Sequence, residues 1–87
     1  MSVMEALLEK DKTIVNHVKK IAEPKGFKIL DVRKFDNNPA NDYLRFALSK
    51  RGADDYCTHV INLDADSIGE GHYDIKTYEN ALTDLYN

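Results

Sequence analysis

Apolar residues recur every three or four positions along the start of the chain. Met4, Leu7, Leu8, Ile14, Val15, Val18, Ile21 and Ala22 fall on one stripe of a helix, with Asp11 its interruption. That periodicity predicts a first helix over about residues 3–22. Ser2-Val3-Met4-Glu5 reads as its capping box, in which the Glu5 amide donates to the Ser2 hydroxyl and the Ser2 amide to the Glu5 carboxylate. Glu5 and Glu9 near the start, and Lys19 and Lys20 near the end, suit the helix dipole. Pro24 and Gly26 stop it.

The period then changes to two. Phe27 to Phe35 is rich in Ile, Leu, Val and Phe, and Asp36 to Asp42 is loop-forming by composition. From Tyr43 to Lys50, Leu44, Phe46 and Leu48 face one way while Arg45, Ala47 and Ser49 face the other. Arg51-Gly52-Ala53-Asp54-Asp55 turns the chain as a hairpin loop. The return strand, Tyr56 to Leu63, carries Cys57, His59, Ile61 and Leu63 on one face and Tyr56, Thr58, Val60 and Asn62 on the other. Asp64 to Ser67 suits a second tight turn. Ile68 to Asp74 can form a short fourth strand, although Gly69 and Gly71 weaken it. Thr77 caps a last helix in which Tyr78, Ala81, Leu82 and Leu85 share a face. The expected fold is α+β, in the order α-β-β-β-(β)-α. Short connections imply an antiparallel sheet of three or four strands, with both helices packed on one face.

With 87 residues the chain makes one domain. So short a chain buries only about 60–65% of its unfolded surface, and a cavity cut into its core is costly. An enzyme is therefore not the expected class. A content of 43% hydrophobic and 31% charged residues argues against disorder. Cys57 is the single cysteine, which excludes an internal disulfide. No apolar run approaches the roughly 20 residues of a membrane span. Met1 to Glu5 lacks a basic, apolar leader. A cytoplasmic location follows as the expectation.

The chemical motifs that the sequence suggests each lack a residue that the chemistry needs. Asp64-Ala65-Asp66-Ser67-Ile68-Gly69 begins like a calcium loop, but Ile68 and Ile75 stand where oxygen ligands are needed. Cys57 and His59, with His72 across a hairpin, fall short of a four-ligand zinc site and lack the orienting group of a Cys-His nucleophile. No phosphate-binding glycine loop occurs. No catalytic residue, metal or cofactor is expected. The double-stranded-RNA-binding domain shares the α-β-β-β-α order, yet Thr77-Tyr78-Glu79-Asn80 replaces the lysines it places on RNA.

Charge is the most informative remaining feature. Residues 52–75 contain no Lys or Arg but hold Asp54, Asp55, Asp64, Asp66, Glu70 and Asp74. The first 35 residues read the other way, so a net charge of -3 hides a dipolar molecule. The acids predict a hairpin face that docks on a basic protein partner, with fast and salt-sensitive association. The alternative is a weak nucleic-acid surface on Lys19, Lys20, Lys25 and Lys28, although nucleic acid is not the expected partner. A homodimer through an exposed sheet edge is the third reading.

Tyr56-Cys57-Thr58-His59-Val60-Ile61-Asn62, a Gly-containing turn, Gly71-His72-Tyr73 and a capped helix with Ala81-Leu82 and Asp84-Leu85 complete the picture. This last third of the chain resembles short orphan proteins of phages and other bacterial mobile elements. The resemblance implies a mobile-element accessory protein, in a setting where small acidic proteins act as inhibitors of host defence machinery. It assigns no functional residue.

Overall fold

The computed structural model describes residues 11–86. The Ser2–Glu5 capping box and the Met4, Leu7 and Leu8 part of the stripe lie outside the described residues. Helix α1 spans Lys12–Ala22. Asp11 is extended, at φ −78° and ψ 110°, and its carboxylate accepts the Thr13 amide at 2.9 Å. One helix running from residue 3 to 22 is therefore corrected at Asp11. The residue that interrupts the apolar stripe acts as an N-cap, where a short carboxylate is more stable than in a helix interior. At the far end Glu23–Lys25 tightens into a 3-10 turn, and Gly26 reverses the chain at φ 92°.

Four strands follow: β1 Lys28–Lys34, β2 Leu44–Gly52, β3 Asp55–Asn62 and β4 Ser67–Ile75. They form one antiparallel sheet in the order β1-β2-β3-β4. Helix α2, Tyr78–Leu85, closes the chain, with the Thr77 hydroxyl accepting the Asn80 amide at 3.2 Å. The α+β class, the antiparallel sheet and the order of elements agree with the periodicity, and the fourth strand is formed.

The placement of the helices does not agree. Neighbouring residues of β2 enter different cores: Ala47 packs with Val18, Ile21, Ala22, Ile29, Val32 and Ile61, whereas Leu48 packs with Ala81 and Leu85. Adjacent strand residues point to opposite faces, so α1 covers one face of the sheet and α2 the other. The register explains why. Leu48 pairs with Thr58 and Ala47 with His59, so the larger apolar set of β2 and that of β3 face opposite ways. Each face then carries apolar area that a helix must cover.

β4 carries two irregularities in its pairing with β3, one opposite Val60 and one opposite Cys57. Asp74, at the second, adopts a left-handed φ of 61°. On the opposite edge β1 is irregular between Ile29 and Asp31. Bulged, charged edges of this kind resist flat edge-to-edge pairing, which weighs against a sheet-edge homodimer.

Gly71 shows why a glycine in β4 is required rather than merely tolerated. A Cβ there would lie 2.0 Å from the Thr58 carbonyl oxygen and 2.6 Å from the His59 Cβ, whereas at Gly69 it would stand 3.5 Å from the Val60 carbonyl oxygen. Gly71→Ala should destabilise the fold by at least about 2 kcal/mol, because backbone must move. Gly69→Ala should stay within about 0.5 kcal/mol of the parent. Urea unfolding of the two variants side by side checks the contrast.

Candidate functional site

The sheet turns the charge asymmetry of the sequence into a spatial one. The basic strand β1, with Lys28, Arg33 and Lys34, forms one edge; β4, with Glu70 and Asp74, forms the other. Three strand spacings separate them, roughly 14 Å. The six acids do not gather on one hairpin face, however. Asp54 and Asp55 lie at the β2–β3 turn, and Asp74 lies at the same end of the sheet, because Tyr56 pairs with Ile75. Asp64 and Asp66 lie in the β3–β4 turn at the opposite end, roughly 25 Å away along the strands. Glu70 stands exposed between the two groups, on the β4 edge.

Three of these carboxylates already have cationic or ionisable partners. Arg51 reaches Asp55 at 3.1 Å and Asp74 at 3.5 Å, while its guanidinium lies 5.1 Å from the Tyr73 ring centre and 5.9 Å from that of Phe27. The bond to Asp55, outweighing partial burial, raises the Arg51 pKa. Asp66 meets His17 Nε2 at 2.6 Å, which ties the β3–β4 turn to α1. Arg51 sits just before the acid-only stretch, so counting within residues 52–75 misses its compensation. Asp54, Asp64 and Glu70 have no ion-pair partner among the described residues.

The lysines of the alternative surface follow one another around a single turn of the chain. Lys19 and Lys20 end α1, Lys25 lies in the 3-10 turn, and Lys28 opens β1. None is within ion-pair distance of a carboxylate among the described residues. Arg33 is different. It is only 7% exposed, lies 4.8 Å from the Phe46 ring centre, and donates to the carbonyls of Leu85, Lys34 and Phe35. It closes the end of α2, and its burial lowers its pKa. Its charge therefore serves the fold more than the surface.

Cys57 and His59 meet at Ser49, and His72 is not brought to them. On the α1 face the Ser49 hydroxyl lies 2.8 Å from His59 Nε2 and 3.0 Å from Cys57 Sγ, and all three residues are fully buried. Burial raises the Cys57 pKa, against smaller opposing effects of Ser49 and Arg51, and keeps the thiol protonated. His72 lies on the α2 face, its Nδ1 2.8 Å from Asp84, which also accepts from the Thr58 hydroxyl. Burial pushes the Asp84 pKa up, but the bonds from Thr58 and His72 outweigh it and hold the carboxyl low. This is the orienting half of a relay, and no described hydroxyl or thiol bonds the outer nitrogen of His72. Among the described residues no three His, Cys, Asp or Glu side chains converge as a metal would need. No helix among them is long and apolar enough to cross a membrane.

His59 Nδ1 is buried without a hydrogen-bond partner, and the Phe27 ring centre stands 4.9 Å from the imidazole. Burial lowers the His59 pKa from 6.5 to about 4. A depressed histidine leaves the unfolded chain binding more protons. Stability from this residue is thus complete above pH 6.5 and lost as pH falls toward about 4, for a total of about 3 kcal/mol. Denaturant melts across that window should show the loss, and His59→Leu should flatten it. An unchanged slope in His59→Leu would assign the acid sensitivity to the carboxylates instead.

No family model matches this chain, and no match is found among curated proteins or solved structures, so no relative lends it a ligand.

Proposed function

We propose that the protein is a non-enzymatic binding module whose acidic β4 edge and adjoining turns dock on a basic surface of another protein. The observation that carries this reading is the strand order. It places β4, which like β3 has no Lys or Arg but carries Glu70 and Asp74, at an exposed edge, farthest from the basic edge strand β1. Glu70, Asp54 and Asp64, without an ion-pair partner among the described residues, supply negative charge, while Arg51 and His17 hold Asp55, Asp74 and Asp66 in position. Charges so arranged steer encounter and fix orientation more than they add affinity. The partner is a basic protein of a nucleic-acid-handling or defence complex, in keeping with the mobile-element resemblance.

The test is retention from a bacterial extract on the immobilised full chain. At low ionic strength it should hold a basic protein that salt releases. Asp54→Asn/Asp64→Asn/Glu70→Gln should lose that protein, and Lys34→Gln, on the opposite edge, should keep it. Retention that survives both high salt and the triple variant would contradict the proposal.

A further inference from the structure

Beyond the acidic edge, the register creates a second surface of opposite sign. At the end of the sheet where β1 begins, one row of paired residues runs across the strands. Lys28 pairs with Lys50, Lys50 with Tyr56, and Tyr56 with Ile75. Directly paired residues point to the same face, so two lysines stand side by side with Cβ atoms about 5 Å apart. Like charges directly opposite are destabilising in a sheet. Here no carboxylate within ion-pair distance offsets them among the described residues. The next carboxylate along this face, Asp31, accepts the Tyr78 hydroxyl at 2.6 Å instead.

The lysines border an open cleft of about 350 Å³ formed with Gly26, Arg51, Gly52 and Ala53, and no carboxylate lines it. Beside it the Lys50 ammonium lies 5.4 Å from the Tyr56 ring centre, and the Tyr56 ring meets Tyr78 edge-on at 6.0 Å. Tyr78 is 40% exposed. Two lysines paired on neighbouring strands and bordering one cleft suit a phosphate, and an exposed ring beyond Tyr56 suits a base. This is the combination by which proteins hold single strands without reading sequence.

We propose that this Lys28–Lys50–Tyr56–Tyr78 row is a binding site for single-stranded nucleic acid, distinct from the exposed β4 edge although Arg51 and Asp54 border both. The lysines neutralise a backbone phosphate and Tyr78 stacks on the neighbouring base. The row shares only Lys28 with the basic end of α1. Asp54, in the adjoining turn, opposes the site and limits it to modest affinity.

Fluorescence polarisation with a labelled oligothymidylate of about ten nucleotides, in about 50 mM salt, tests it. The full chain should bind. Lys28→Gln/Lys50→Gln should weaken binding at least tenfold and lower the slope of log affinity against log salt by about 1.4. Tyr78→Ala should weaken it at least about fivefold. Tyr78→Phe should retain binding, because the ring rather than the hydroxyl stacks. Circular dichroism of each variant separates lost binding from lost fold. Absence of binding by the parent overturns the proposal. So does binding that the double lysine variant leaves unchanged, or displacement of the oligonucleotide by tripolyphosphate at equal phosphate concentration, which would mark a general anion site.

Discussion

The pairing of β2 with β3 is the constraint on which the rest of the structure depends. Setting Leu48 against Thr58 and Ala47 against His59 sends apolar residues of the central hairpin to both faces of the sheet. A sheet with two apolar faces needs two covers, and among the described residues one helix lies on each side of the strands in sequence. α1 therefore takes the Ala47 and Ile61 face, and α2 the Leu48 face. The small β4 side chains belong to the same solution, because Gly71 lets β4 approach β3 where any Cβ would strike the Thr58 carbonyl.

The same register disposes the polar groups. On one face it buries Ser49, Cys57 and His59 as a hydrogen-bonded trio beneath Phe27 and Tyr73. On the other it joins Thr58, His72 and Asp84, which tie α2 to the edge strand. Cys57, His59 and His72, which look chemical in the sequence, are thus divided between the two faces and hydrogen-bonded into the fold. One group is sealed from solvent, and the other lacks a nucleophile among the described residues. At the edges and ends of the sheet, strand order sorts the charges.

Much of this was legible in the sequence. Period-two alternation located β2 and β3 and their faces, and Thr77 marked the start of α2. The acid-only stretch is contiguous in sequence, but a meander folds such a stretch back and forth. Asp54 and Asp64 consequently sit at opposite ends of β3. The helix arrangement was missed because alternation within each strand does not say which residues of two strands share a face. That depends on hairpin register, which the irregularity between Lys50 and Gly52 shifts. Lys50 was missed for the same reason, since nothing in linear order sets it beside Lys28. Arg33 belongs to the basic first part of the chain by sequence, and only its carbonyl partners show it to be part of the core.

On the proposed reading, an acidic edge and a basic corner of one sheet act as separate surfaces. An amide NMR titration of the full chain with a short oligoarginine peptide tests that claim most directly. The largest shifts should fall on Asp64, Glu70 and the β4 residues beside them and vanish with added salt, while Lys28, Lys50 and Tyr78 stay unmoved. Shifts spread evenly over both edges, or centred on the Lys28–Lys50 corner, would contradict it.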